Sequence, residues 1–269
     1  MAGTGASHGV DGTPVSGRSV TLDPASVLRA LLMVIAALVL LSVGAEAVVL
    51  YADDFPLRDT AARLFFVNAE QSIPTLYSTL MLLASALLLA AVARTGARRG
   101  PARPWLVLSL LFCVLAIDEF ASLHEDLSSR VQSLLGVEGG VFLFAWVIPG
   151  ALVVAVVAIA FVPFLRSLPP STRQGFLLAG ILLVGGAIGV EMVGSAYLDA
   201  HGGVEDMAYA FLTALEEGLE MTGVAVFVWT LLRYVADALP GLAWTVRVEP
   251  RAASEHGVDA AAVNLRDAE

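Results

Sequence analysis

Long apolar runs separated by short polar segments recur along this chain, and no strand-like alternation interrupts them. Six runs, at about 27–51, 73–93, 105–127, 141–165, 174–198 and 207–234, reach or exceed the ~20 residues a helix needs to cross the hydrocarbon layer. The pattern predicts an all-α membrane protein, a six-span transmembrane helical bundle, with an interfacial helix beginning at Arg58 before the second span. Residues 1–25 are rich in Gly, Ser and Thr and read as a disordered tail. Residues 26–239 form the transmembrane domain, and 240–269 read as a second polar tail. The first run starts too late and is too long for a cleaved leader, so it reads as an uncleaved signal anchor.

Carboxylates interrupt the apolar runs. Glu46, Asp118, Glu119, Glu191, Glu216, Glu217 and Glu220 all fall inside predicted spans. Each would cost roughly 2.5–3.5 kcal/mol or more if ionised at a helix centre. Such residues must face each other, a cavity, protons or a cation. In the third span, Asp118, Ser122 and Glu125 are spaced i, i+4, i+7 and predict one helix stripe, with Glu119 about 100° around and His124 leaning over the same place. In the sixth, Thr213, Glu216, Glu217 and Glu220 share a face, where ionised neighbours would repel. Asp118-Glu119-x4-His124-Glu125 and Glu216-Glu217-x2-Glu220-Met221-x-Gly223 are distinctive enough to mark a family. Gly185, Gly186, Gly189 and Gly194 around Glu191 predict close helix contact.

Arginine placement orients the bundle. Arg18, Arg29, Arg94, Arg98, Arg99, Arg103, Arg166, Arg173, Arg233, Arg247, Arg251 and Arg266 lie at one set of span ends; only Arg58, Arg63 and Arg130 lie at the other. By the positive-inside rule both termini are cytoplasmic, in the cell (plasma) membrane. At ~1.5 Å per residue, Asp118 then lies about 21 Å from the inner end of its span and Glu216 about 15 Å below the outer end of its own. The acids of spans one, three, five and six converge in the outer half. A three-hairpin internal repeat is also expected: Glu46 is followed by Asp53, Asp118 by Glu125 and Glu191 by Asp199 at seven or eight residues, each opening a hairpin on an outward helix.

Composition narrows the chemistry. The chain is 58% hydrophobic, with mean hydropathy +0.80. It has no lysine, which excludes a retinal Schiff base and a lysine nucleophile. Its net charge of −10 offers no basic face for nucleic acid. The single Cys113 permits no intrachain disulfide and no cysteine metal site. A His₃ zinc site lacks its histidines, the Glu-x-x-His spacing of carboxylate-bridged di-iron bundles is missing, and no phosphate loop or nucleophile elbow is present. What remains is an oxygen-rich donor set, Glu46, Asp118, Glu119, His124, Glu125, Glu191, Glu216, Glu217 and Glu220. It suits protons or a divalent metal cation such as Mg, Ca, Mn or Fe. The sequence therefore predicts cation transport, exchange or sensing. The alternative is a membrane-embedded metal-dependent enzyme acting on a lipid or small apolar substrate, with His124 as proton shuttle.

Overall fold

The computed structural model describes residues 23–69, 71–96, 102–137 and 139–238, and all regular structure among them is helical. The elements are α1 (Pro24–Tyr51), α2 (Arg58–Arg63), α3 (Ile73–Gly96), α4 (Arg103–Ala121), α5 (Leu123–Leu135), a 3₁₀ turn (Gly140–Phe142), α6 (Val147–Ser167), α7 (Pro170–Val184), a π-helical turn (Gly185–Val190), α8 (Glu191–Ala200) and α9 (Met207–Ala238). Six helices are long and apolar enough to cross a membrane: α1, α3, α4, α6, the continuous Pro170–Ala200 rod and α9. The short α2 begins at Arg58, as the pattern predicts. Dozens of large apolar side chains point outward, among them Leu40, Leu87 and Ile159 at 72–74% exposure, as suits helices of membrane-spanning length. The expected tails lie outside the described residues except at 23–25. There the Asp23 carboxylate accepts the Ala25 and Ser26 amides, and Pro24 opens α1.

α9 is the central post and packs against α1, α3, α7 and α8. Its contact with α7 is close because glycines face it: a Cβ on Gly223 would stand 2.7 Å from the Leu183 amide nitrogen and 2.9 Å from the Ala179 carbonyl. At the end of the bundle where α4, α7 and their arginines begin, aromatic rings fill the core. Phe227 stacks between Phe112 and Phe176 at centroid distances of 4.5 and 4.7 Å, and Trp105 meets Phe164 edge-on at 4.9 Å. The acids occupy the other end.

The packing departs from three equivalent hairpins. α7–α8 with α9 is a close pair, but α3 packs chiefly on α4 and α1 chiefly on α9. One cross-link reflects this, the Ser109 hydroxyl donating to the Ala86 carbonyl at 2.8 Å between α4 and α3, while the Tyr77 hydroxyl ties α3 to the Leu31 carbonyl of α1 at 3.3 Å.

Three spans also differ in detail from their predicted form. The third does not run on to Leu127: Ser122 is left-handed (φ 46°, ψ 41°), which ends α4 and turns the chain into α5. The fourth starts at Val147 rather than near 141, because Gly139 and Gly140 take positive φ (71° and 58°) and lead into a 3₁₀ turn. The fifth contains a full π turn, Gly185–Val190, immediately before Glu191.

Candidate functional site: a carboxyl cluster between four helices

Four segments bring the acids together: the end of α4, the start of α5, the π turn with α8, and the first half of α9. Small residues let the chains approach. A Cβ on Gly186 would lie 2.7 Å from the Glu216 carbonyl oxygen and 2.9 Å from Glu220 Cγ, so this glycine seats the π turn directly on the acidic stretch of α9. Gly185 and Gly189 meet nothing within 4 Å, so only one of the three π-turn glycines makes the close contact expected of the set. A π turn adds a residue to the helix and rotates the next turn about the axis, and such turns recur at functional sites. Here the next residue is Glu191.

The Glu191 and Glu216 carboxyls are close neighbours across the α8–α9 contact. Glu217 and Glu220 are within electrostatic range of Glu191 and of Glu119 from α4. Glu119 has Ser78 of α3 beside it, and Asp118 and His124 are its charged neighbours. Thr213, on the predicted acidic face, is buried and donates its hydroxyl back to the α9 backbone, so it takes no part. Glu46 stands apart: its acidic neighbour is Glu205, in the connection between α8 and α9.

The α4–α5 corner replaces the straight stripe expected for Asp118, Ser122 and Glu125. With Ser122 left-handed, these three no longer share a helix face. Asp118 instead turns its carboxylate onto the start of α5. Oδ1 accepts the His124 backbone N–H at 3.0 Å, and Oδ2 lies 2.9 Å from His124 Nδ1. Ser122 makes no side-chain cap, so Asp118 caps α5 from the last turn of α4. Burial pushes the His124 imidazolium down, but the Asp118 hydrogen bond and the Asp118, Glu125 and Glu191 carboxylates outweigh it and hold His124 above the ordinary histidine value.

One residue that no sequence pattern singled out joins the two layers. The Trp146 indole N–H donates to Glu191 Oε1 at 3.1 Å, while its ring lies 4.9 Å from the His124 ring. The segment ahead of Trp146 is strapped on both sides. Asp199 accepts the Gly140 amide at 2.9 Å and Ser195 the Phe144 amide at 2.9 Å, both from α8. From α5, Gln132 donates to the Leu143 carbonyl at 2.7 Å, and Ser128 accepts the Trp146 amide at 3.3 Å. Trp146 is 45 residues from Glu191 in sequence and lies in a glycine-led loop, so helical periodicity could not link them.

Residues 26–235 match a domain of unknown function, DUF8692. The chain belongs to this family. No curated protein and no solved structure matches it. The matched region of this DUF8692 chain runs from the first turn of α1 almost to the end of α9, and so contains the whole cluster and Trp146. Among the described residues, no three His, Cys, Asp or Glu side chains form a group that could hold a metal ion. What the DUF8692 chain brings together is a chain of neighbouring carboxyls with a histidine at the edge.

Proposed function

We propose that this multi-pass membrane protein binds and passes protons within the bilayer, through the cluster formed by Asp118, Glu119, His124, Glu191, Glu216, Glu217 and Glu220. The observation that carries this reading is the close approach of the Glu191 and Glu216 carboxyls, where Gly186 seats the π turn on the acidic stretch of α9. Two adjacent charges in a low-dielectric site repel strongly, and a proton shared between the two carboxyls relieves that repulsion. The pair is therefore a place where a proton is held, and Glu217, Glu220 and Glu119 extend it toward α4. His124, at the start of α5 and with a side chain 28% exposed, is the group that exchanges protons with water.

The twelve-to-three arginine split supports a plasma-membrane orientation with both termini cytoplasmic and the carboxyl cluster in the outer half. A fluorescent protein fused to the C-terminus should then be shielded from protease added outside intact spheroplasts. Digestion of the fusion under those conditions would reverse the orientation.

The test of the proton reading is carboxyl titration followed by infrared spectroscopy, with proton flux into proteoliposomes under an imposed pH gradient. Wild type should show a protonated-carboxyl band that Glu191→Gln or Glu216→Gln removes, and both variants should lose most of the flux. Unchanged bands and flux in both would refute it. Stoichiometric proton release on adding Mn²⁺, Ca²⁺ or Mg²⁺ would move the reading from protons to a divalent cation.

A further inference from the structure

The helix after the α4 corner has three distinct faces. α5 is 13 residues long, about 20 Å at 1.5 Å per residue, which is too short to span a bilayer. At about 100° per residue, His124, Ser128, Val131 and Gln132 fall on one side. This side faces protein: Ser128 and Val131 are buried, and Gln132 and Ser128 hold the strap that leads to Trp146. Asp126, Ser129 and Ser133 fall on a second side and are exposed and polar. Leu123, Leu127 and Leu134 lie within about 40° of one another on a third side. They are 51%, 40% and 82% exposed. Arg130 sits between the leucine stripe and the polar side.

The leucine stripe continues a surface that already faces lipid. α4 is a membrane-length helix, and its last outward apolar residues are Ile117 and Phe120, 58% and 66% exposed. Two residues, Ala121 and Ser122, separate Phe120 from Leu123. A soluble helix would hide three leucines, and a spanning helix would not carry a full polar face. A helix that is apolar on one side, polar on the other and held at the end of a span lies in the plane of the interface.

We infer that α5 is a membrane-docking helix: Leu123, Leu127 and Leu134 insert among the lipid chains of the leaflet at the end of α4, while Asp126, Ser129 and Ser133 face water. Arg130 extends along the boundary, its apolar stem over the leucines and its guanidinium at the level of the lipid phosphates. The docking sets the height of the whole α4–α5 corner, and with it the His124–Asp118 clasp.

Spin labels distinguish the faces directly. Cys113 is the only cysteine, so labels placed by Leu127→Cys, Leu134→Cys, Ser129→Cys and Ser133→Cys in a Cys113→Ala background report single sites. The full chain is reconstituted in nanodiscs of phosphatidylcholine and phosphatidylglycerol. Labels at 127 and 134 should collide preferentially with oxygen and be shielded from a water-soluble nickel chelate; labels at 129 and 133 should reverse that preference. Preference for the chelate at both 127 and 134 would overturn the proposal, because the leucine face would then stand in water. Shielding from both reagents at 127 and 134 would also overturn it, showing a protein surface or a second copy as the occupant. Two positions on each face keep the result readable if one variant fails to fold.

Discussion

Alanine at Gly186 or Gly223 will destabilise the bundle, while alanine at Gly185 or Gly189 will leave it unchanged or slightly more stable. All four are glycines in helical segments, so the added methyl raises intrinsic helix stability at each by roughly 0.5–1 kcal/mol. The difference lies in what the methyl meets. At Gly223 it would stand 2.7 Å from a backbone nitrogen of Leu183 and 2.9 Å from the Ala179 carbonyl. At Gly186 it would stand 2.7 Å from the Glu216 carbonyl. Backbone atoms in packed helices cannot rotate away, so α7 or α9 must shift, at an overpacking cost of about 1–3 kcal/mol. At Gly185 and Gly189 nothing lies within 4 Å. Thermal unfolding of the four variants in detergent should therefore split two and two. Gly186→Ala carries a second consequence, because the displaced backbone is that of Glu216. The infrared signature of the Glu191–Glu216 pair should change in this variant and persist in Gly223→Ala. Equal melting temperatures across all four would mean that α7 and α9 do not pack through these glycines.

Much of this architecture is legible from apolar run length alone, because membrane-length helices follow from composition over twenty or more residues. The second and sixth spans and the start of α2 coincide with their predicted starts. The convergence of Asp118, Glu119, Glu191, Glu216, Glu217 and Glu220 also follows from span direction and depth, since consecutive helices alternate direction. Local departures from the α-helix could not be read. Ser122 in left-handed conformation and the π turn before Glu191 both change which residues share a face, and a 3.6-residue periodicity presumes that neither occurs. The Asp118/Ser122/Glu125 stripe failed for that reason, though the polar run from Ser122 to Asp126 resembles a helix start as much as the wet end of a span. Trp146 was invisible for a different reason: its role depends on a loop held by four side chains from two other helices. Glu46 shows the converse limit. Its depth, counted along its span, is predicted to match that of the other acids, but depth does not fix which way a helix is rotated about its axis.

The Asp118–His124 clasp makes the second large prediction, and two substitutions separate its parts. Asp118→Asn keeps an oxygen that can accept the His124 amide, so the cap on α5 survives, but the charge beside the imidazole is lost. His124 should then titrate lower than in wild type, by about one pH unit or more, the usual effect of removing an opposite charge at contact distance. Asp118→Ala removes both the cap and the charge-assisted bond. The first is worth about 0.5–2 kcal/mol, the second about 1.5–3 kcal/mol, so α5 should lose roughly 2–5 kcal/mol of local stability. Hydrogen exchange of the α5 amides measures that loss, and NMR of the His124 ring measures the titration. The direction of the shift sets the sign of the pH dependence. His124 in the folded protein titrates above its ordinary value of 6.5, so the charge-assisted part of the clasp is complete below about that pH and fades as the pH rises through the higher folded value. Wild-type α5 should therefore exchange faster as the pH climbs above neutrality, after correction for the intrinsic rate, and Asp118→Asn should lose most of that dependence. An unchanged His124 midpoint in Asp118→Asn would mean that the carboxylate does not hold the imidazole in the membrane-embedded protein. Because Trp146 lies against His124 on one side and donates to Glu191 on the other, loosening of α5 should also reach the buried pair. The infrared band of Glu191 and Glu216 should then differ between Asp118→Ala and wild type, although neither glutamate has been changed.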